Sequence, residues 1–311
     1  MEKYERKISS ILQELQKEDD ISSYEEPGYE QGDSDIDIDK IQRGQIFFCK
    51  NLTNCILAMM VSLVYGLSVS NLLDPLVYTS KSDTPQKSLQ RYVHTLAHVM
   101  KWHMGSIWEH DSEARKSLNS VRRMHTYVGR KMNFGKTSPA NIFMSQYDMS
   151  LVQCGFIGFL VLKPDKVGIT CTEEELEDYM YFWKWIGIHL GISNHNNICY
   201  HGYRHALNVC QDIDDFVVYP ALENPPPNFV KMAQAFTDGL NILTVIPLHS
   251  YKSLISFVTD ASGKKRLYKL GVADTFRLFF FKFMVFLLRK CPPLKYFLNR
   301  NLSLFAKLKT D

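Results

Sequence analysis

The sequence predicts an all-α fold built as a single large helical domain. Apolar residues recur at helical spacing along most of the chain, helix start and stop signals flank several of these stretches, and no regular strand pattern occurs. The chain has 311 residues with 45% hydrophobic content, which suffices for one large core. It holds no Gly-rich phosphate loop, which argues against Rossmann and P-loop enzymes.

We expect three regions along the chain. Residues 1–40 are predicted to form an acidic, partly disordered arm, with weak helical periodicity over residues 1–17. Residues 41–262 are predicted to form the helical domain that holds the candidate site. Residues 263–311 are predicted to form a basic, aromatic helical segment.

Local signals place the helices of the central region. Prolines open helices, and a Thr-x-x-Glu capping box with a later glycine brackets another. The predicted helices cover residues 51–73, Pro85 to beyond Met100, a segment through His125, Pro139 towards Met149, 150–162, Thr172 to Gly191, 228–240, and 241–260 with a start near Pro247. The first stretch carries no charge, so we predict a buried helix, with a membrane span as the alternative.

The C-terminal segment is both aromatic and basic. Its apolar stretch from Leu278 to Leu288, LFFFKFMVFLL, is too short to span a bilayer, and basic residues flank it. Two interpretations stay open. The segment contacts an anionic membrane surface peripherally, or it is a final helix packed on the domain with a solvated basic face.

The cysteine content, the N-terminal sequence and the net charge predict the cellular location and the class of partner. Seven scattered cysteines without a C-x-x-C pair predict reduced thiols rather than a disulfide framework. The N-terminus has no apolar signal region. We therefore expect a protein on the cytoplasmic side that is soluble or peripherally membrane-associated and not secreted. The net charge of +3 gives no strong attraction to nucleic acid, so no nucleic-acid partner is expected.

Two polar clusters in apolar, helical surroundings are the candidate site. Arg91, His94, Thr95 and His98 share one face of a helix, and His125 ends the later motif VRRMH. Such groups are costly to bury unless a partner such as a metal or an anionic cofactor pairs with them. A neutral imidazole is a common metal ligand. Spacing alone, however, favours an ordinary hydrogen-bonded role for any one of these histidines.

The two clusters resemble the catalytic domain of the rubber oxygenase (latex-clearing protein) and ER-bound oxygenase family. The family pattern is Arg-x-x-Lys-Thr followed by Val-Arg-x-Met-His, and the spacing between the clusters also matches. Later segments, SQYDM at 145–149 and ELEDYMYFWKWIGIHLG at 175–191, resemble further parts of the pattern. The likeness runs from about residue 47 to about residue 192.

The resemblance implies a distantly globin-like helical fold that binds haem b between core helices. It implies that His125 is the proximal iron ligand and that Arg91 and Thr95 line the distal side, where they act on bound dioxygen. His94 stands where the family has Lys and is a second candidate iron ligand, with a role as proton donor as the alternative. The candidates to pair with haem propionates are Arg122, Arg123 and Arg130.

The sequence departs from the family pattern in two places. The rubber-cleaving members use a glutamate upstream of the Arg cluster as a proposed base, but no Glu lies between Glu30 and Glu109. Asp74 and Asp83 are the candidate replacements. A glycine also stands at 129, where the family tends to carry Arg.

The predicted function is a haem b-dependent oxygenase that adds dioxygen across a C=C bond of a hydrophobic alkene or lipid, isoprenoid-like in character. One alternative is a non-catalytic bis-histidine haem protein that senses gas or redox state. Another is a haem-free helical protein of the membrane surface. A zinc hydrolase built on His201 and His205 is weaker, because no clear third ligand accompanies that pair.

Overall fold

The computed structural model confirms the all-α prediction. It describes residues 10–17, 36–135 and 142–310, and within these ranges it contains helices and no strand. The helices are α1 (Ser10–Lys17), α2 (Ile38–Lys50), α3 (Leu52–Gly66), α4 (Ser70–Thr79), α5 (Pro85–Met104), α6 (Glu113–Asn133), α7 (Gln146–Leu162), α8 (Glu173–Leu190), α9 (Tyr203–Ile213), α10 (Tyr219–Glu223), α11 (Phe229–Asn241), α12 (Tyr251–Ala261), α13 (Val272–Lys290) and α14 (Pro292–Thr310). A π-helical turn, Asp214–Val218, joins α9 to α10.

One continuous core runs through the described helices, with α3, α7 and α8 at its centre. Tyr179 and Trp183 of α8 are among its largest fully buried side chains. Helix α2 lies along α8, and Gly44 permits this close packing because a Cβ there would stand 2.7 Å from the Asp178 carbonyl oxygen. Arg43 fixes the same contact by donating to both carboxylate oxygens of Asp178, at 2.6 and 2.9 Å.

Several local predictions are confirmed. Pro85 is the first residue of α5, where its missing N–H costs no helical hydrogen bond. Thr172 and Glu175 form the predicted capping box of α8. Gly191 ends α8 in the left-handed conformation with φ 88°, which favours glycine over residues with a side chain.

The uncharged stretch 51–73 is not one helix, and the prediction was wrong there. Helix α3 ends at Gly66, and α4 begins at Ser70. Between them the Ser68 hydroxyl donates to the Tyr65 carbonyl oxygen, a local bond that competes with helix continuation. Residues 73–79 lie in α4, where Pro75 occupies the second turn of the helix.

Two other helix starts differ from prediction. Pro139 lies outside the described residues. Helix α7 begins at Gln146, and Ser145 and Asp148 form its capping box. A single helix then continues to Leu162. The predicted start near Pro247 is also wrong: residues 242–250 form a loop, and Ser250 caps α12. The Asn241 side-chain amide closes this loop with two bonds of 2.9 Å to the His249 backbone. Its Nδ2 donates to the His249 carbonyl oxygen, and its Oδ1 accepts from the His249 N–H.

The two C-terminal helices pack on the domain. Leu278, Phe281, Val285 and Leu288 form the buried face of α13. Helix α14 reaches the corner between α2 and α3, where the Asn299 side-chain oxygen accepts from the Thr53 backbone N–H at 2.9 Å and from its hydroxyl at 2.7 Å.

The acidic stretch of the predicted N-terminal arm lies mostly outside the described residues. Helix α1, which is described, buries Leu12 and Leu15 against the core. No single helix in the described ranges is long and apolar enough to cross a membrane. Helices α2 and α3 together have the length and composition, but they meet at an 85° bend.

Candidate functional site

Helices α5 and α6 pack side by side and carry both polar clusters. Thr84 caps α5 by accepting from the Lys87 N–H, and Ser112 caps α6 by accepting from the Arg115 N–H. The link between the helices is short and turns at Gly105, where a Cβ would stand 2.9 Å from the Ala114 Cβ. The two helices therefore run antiparallel in close contact.

His125 faces Arg91 and His98 across this contact. Its Nδ1 atom is buried and has no hydrogen-bond partner among the described residues. Burial lowers the pKa of His125 to about 4, and the charges of Arg91 and His98 add to the effect. The imidazole is therefore neutral at physiological pH and offers a lone pair, which is the form that binds a metal.

Arg91 is a partly buried cation on α5. Burial lowers the pKa of its guanidinium. The guanidinium donates from Nη1 to the Thr79 hydroxyl at 3.3 Å and makes no salt bridge with a described residue. The Thr95 hydroxyl donates back to the Arg91 carbonyl oxygen at 3.2 Å. A sequestered guanidinium without a carboxylate suits an anionic ligand.

His98 belongs to a second hydrogen-bonded group beside the site. Its Nδ1 lies 2.7 Å from the Ser117 hydroxyl, which also accepts from the Trp102 indole N–H at 3.0 Å. Burial lowers the pKa of His98, with smaller effects from Lys101 and His94. Ser117 and Thr79 had no predicted role. A small hydroxyl residue on either helix gives no sequence signal of which neighbour it will meet.

The structure places the other predicted residues farther from His125. His94 lies on the same face of α5 as Arg91 but is exposed. Arg123 and Arg130 are exposed and, at helical spacing, project from the side of α6 away from His125. Gly129 packs closely on the loop before α7, where a Cβ would lie 3.2 Å from the Met144 Cβ and would require a small shift of that residue.

Arg122 covers the C-terminal end of α8. Its Cζ atom would stand 3.0 Å from a Cβ on Gly191. One face of α6 thus brings two arginines to this end, because Arg115 Nη1 lies 2.6 Å from His189 Nε2. Cations at a helix C-terminus are favourable, since the exposed carbonyl groups carry partial negative charge.

The two candidate replacements for the family's glutamate, Asp74 and Asp83, precede α5 in the sequence. Asp83 accepts from Lys87 Nζ at 2.9 Å, and this bond lowers the pKa of its carboxyl group. Asp74 is a partly buried residue of α4 with a polar interaction of its own.

The His201 and His205 rings stack edge to face with centroids 5.1 Å apart. In the described ranges, no group of three or more His, Cys, Asp and Glu side chains is arranged to hold a metal ion. The pair thus gains no third ligand of these types there. A haem iron needs only one or two protein ligands, so the arrangement at His125 is a separate case.

Comparison with known proteins gives one family. The model of the family described as "ER-bound oxygenase mpaB/B'/Rubber oxygenase, catalytic domain" matches residues 44–197. This range contains both clusters and helices α3 to α8. No curated protein and no solved structure matches the chain.

Proposed function

Since residues 44–197 belong to the ER-bound oxygenase and rubber oxygenase catalytic-domain family, we propose that this oxygenase-type domain uses haem b, bound beside His125. The observation that carries the proposal is the pair formed by His125 and Arg91. One offers a buried, unpartnered imidazole nitrogen, and the other a guanidinium without a carboxylate. A cofactor that combines a metal with carboxylates would satisfy both.

The residues of the chain then take distinct roles. His125 would hold the iron. Arg91, oriented by the Thr79 hydroxyl, would donate hydrogen bonds to negative charge that develops on the distal side, which Thr95 would also line. His94, at the open edge of the same helix face, would close on the iron in the resting state or deliver a proton. Of the three further arginines, Arg122 lies nearest the His125 face and is the best placed to approach a propionate.

The proposed substrate is a hydrophobic alkene or lipid with an isoprenoid-like C=C bond. Haem b supplies the redox chemistry with dioxygen when bound. The double bond breaks and each of its carbons receives one oxygen atom, so both atoms of dioxygen end in two carbonyl groups. The reaction therefore needs no external reductant. The half-exposed apolar residues around Arg91 suit such a substrate better than a charged one.

Absorption spectroscopy tests the cofactor directly. The full chain is expressed with haem supply, and ferric and ferrous spectra are recorded for wild type and His125→Ala. We expect a Soret band in the wild type and a loss of at least about tenfold in bound haem in His125→Ala, because removing a ligand or its support costs this much or more. His201→Ala is the matched control and should keep the wild-type band.

The same spectra distinguish the alternatives. A folded but colourless wild type would overturn the haem proposal, and an unchanged band in His125→Ala would overturn the ligand. His94→Ala should convert a six-coordinate spectrum to a five-coordinate one if His94 closes on the iron. Oxygen consumption with a polyisoprenoid alkene then separates an oxygenase from a haem protein that only senses gas or redox state.

A further inference from the structure

Helix α13 is apolar on two opposite faces. The inner face packs on the domain through Leu278, Phe281, Val285 and Leu288. The outer face is exposed and also apolar, and we call it the outer stripe. Its members, spaced alternately by four and three residues, are Val272, Phe276, Phe279, Phe283 and Phe286. A surface helix of a globular domain is usually polar on that side, so a continuous exposed row of this size indicates a binding surface.

A second exposed apolar feature adjoins the first turns of α13. The apolar loop, residues 242–246, exposes Ile242, Leu243, Val245 and Ile246, and Val245 is fully exposed at 104%. The reciprocal bonds between Asn241 and His249 close its base, so the tip is held out in a defined shape. Arg277 joins the loop to α13 by donating from Nε to the Pro247 carbonyl oxygen at 2.9 Å.

Positive charge predominates around the outer stripe, and Asp274 is the one acidic residue of α13 itself. The sequence from Thr275 to Thr310 contains no Asp or Glu. Its basic residues are Arg277, Lys282, Arg289, Lys290, Lys295, Arg300, Lys307 and Lys309. Arg277 pairs with Asp274 on α13 itself, and Lys282 pairs with Asp260 of α12. Arg289, Lys290 and Arg300 are exposed and make no salt bridge with a described residue.

We propose that the outer stripe docks on an anionic lipid bilayer, with the apolar loop as an adjoining anchor. A 19-residue helix is about 28 Å long at 1.5 Å per residue. Lying in the membrane plane, it would bury its phenylalanines at the acyl boundary, while Arg289, Lys290 and Arg300 meet lipid phosphates. A second copy of the chain fits less well, because the same basic groups would flank both sides of the contact.

The proposal stands apart from the haem proposal, because it uses none of the residues between α5 and α6. Flotation with vesicles tests it on the full chain. We expect binding to phosphatidylcholine vesicles that contain phosphatidylserine, and weak binding to phosphatidylcholine alone. The double substitution Phe279→Ser with Phe283→Ser should lower the partition coefficient between water and these vesicles about tenfold or more. The double substitution Arg289→Gln with Lys290→Gln should lower the same coefficient about tenfold at low salt. The reduction should be smaller at high salt, because salt screens the attraction to anionic lipid.

Matched controls keep the test sharp. Ile46→Ser with Val230→Ser removes comparably exposed apolar side chains elsewhere on the surface, and Lys81→Gln with Lys231→Gln removes exposed charges elsewhere. Both controls should bind vesicles like the wild type, and Val245→Ser should show a smaller loss than the α13 pair. Helical content by circular dichroism confirms that each variant is folded. Wild-type binding by folded Phe279→Ser/Phe283→Ser, or a dimer that this pair converts to a monomer without changing vesicle binding, would overturn the proposal.

Discussion

The surroundings of His103 and His125 show what two buried imidazoles can be used for. His103 is fully bonded: its Nδ1 donates to the Val99 carbonyl oxygen at 2.8 Å, and its Nε2 accepts from the Tyr179 hydroxyl at 3.3 Å. It also stacks on Phe48, with centroids 3.6 Å apart. His125 has a buried Nδ1 with no partner in the described ranges.

His103 is fully buried, whereas His125 is partly exposed as a residue and buries its Nδ1 atom, yet burial lowers the pKa of both imidazoles. The pKa of His103 falls to about 3 and that of His125 to about 4, so both are neutral near pH 7. The difference lies in the neighbours, because aromatic and carbonyl groups enclose His103, whereas Arg91 and His98 face His125. A bonded neutral imidazole is part of the core, whereas an unbonded one retains its capacity to bind a ligand. Substitution should therefore destabilise the haem-free chain strongly at His103 and only slightly at His125.

The largest effect is expected at the bonded ring. His103→Ala should lower the free energy of unfolding by about 3 kcal/mol, because it opens a cavity beside Phe48 and leaves the Tyr179 hydroxyl unpaired. Chemical denaturation of the purified chain without added haem measures this change. A loss below about 1 kcal/mol would show that the aromatic cluster around His103 does not depend on the imidazole. That result would contradict the assignment of His103 to the core.

Acid titration sharpens the same comparison. The folded-state pKa of His103, about 3, lies below its unfolded value near 6.5. Between these values the unfolded chain binds a proton that the folded chain does not. The contribution of His103 to the free energy of unfolding is therefore fully present above pH 6.5 and is lost as the pH falls towards 3. His103→Phe should reduce this slope by about 1.4 kcal/mol per pH unit, as one titrating group is removed.

Denaturation curves at fixed pH values from 7 to 4 give the slope for each variant. Equal slopes in wild type and His103→Phe would mean that His103 is protonated in the folded chain, which contradicts its burial and bonding.

The smallest effect is expected at the unbonded ring. His125→Ala should change the free energy of unfolding of the haem-free chain by less than about 1 kcal/mol, because no hydrogen bond to Nδ1 is lost. The same denaturation assay measures it. With haem bound, the wild type should gain stability that His125→Ala does not, since a ligand stabilises the state that binds it. A large loss without haem would assign His125 to the core.

The extent of sequence-based prediction differs between elements. Helix α8 was predictable from Thr172, Glu175 and Gly191, because capping and left-handed termini depend on neighbours a few residues away. The meeting of Arg91 and His125 was predictable only through the family pattern. The break after Gly66 was missed, because the Ser68 bond that ends α3 competes weakly with an apolar run and leaves no strong signal.

Contacts between helices were the hardest part to predict. Sequence places Arg122 on a face of α6, but it cannot tell that this face meets the end of α8 at Gly191. Ser117 is likewise a small residue whose two partners, His98 and Trp102, lie on another helix. Such pairings depend on how two surfaces pack, which periodicity alone does not specify.

The bond between Thr53 and Asn299 has a consequence for the order of synthesis. These residues lie 246 positions apart, yet the Asn299 side chain completes the corner at which α3 begins. At about 5–20 residues per second, a ribosome that has made Thr53 needs about 12 to 50 s to reach its partner. During this interval the nascent corner offers an open N–H and hydroxyl to water or to a chaperone. The first core helices of this protein are therefore completed by residues translated much later.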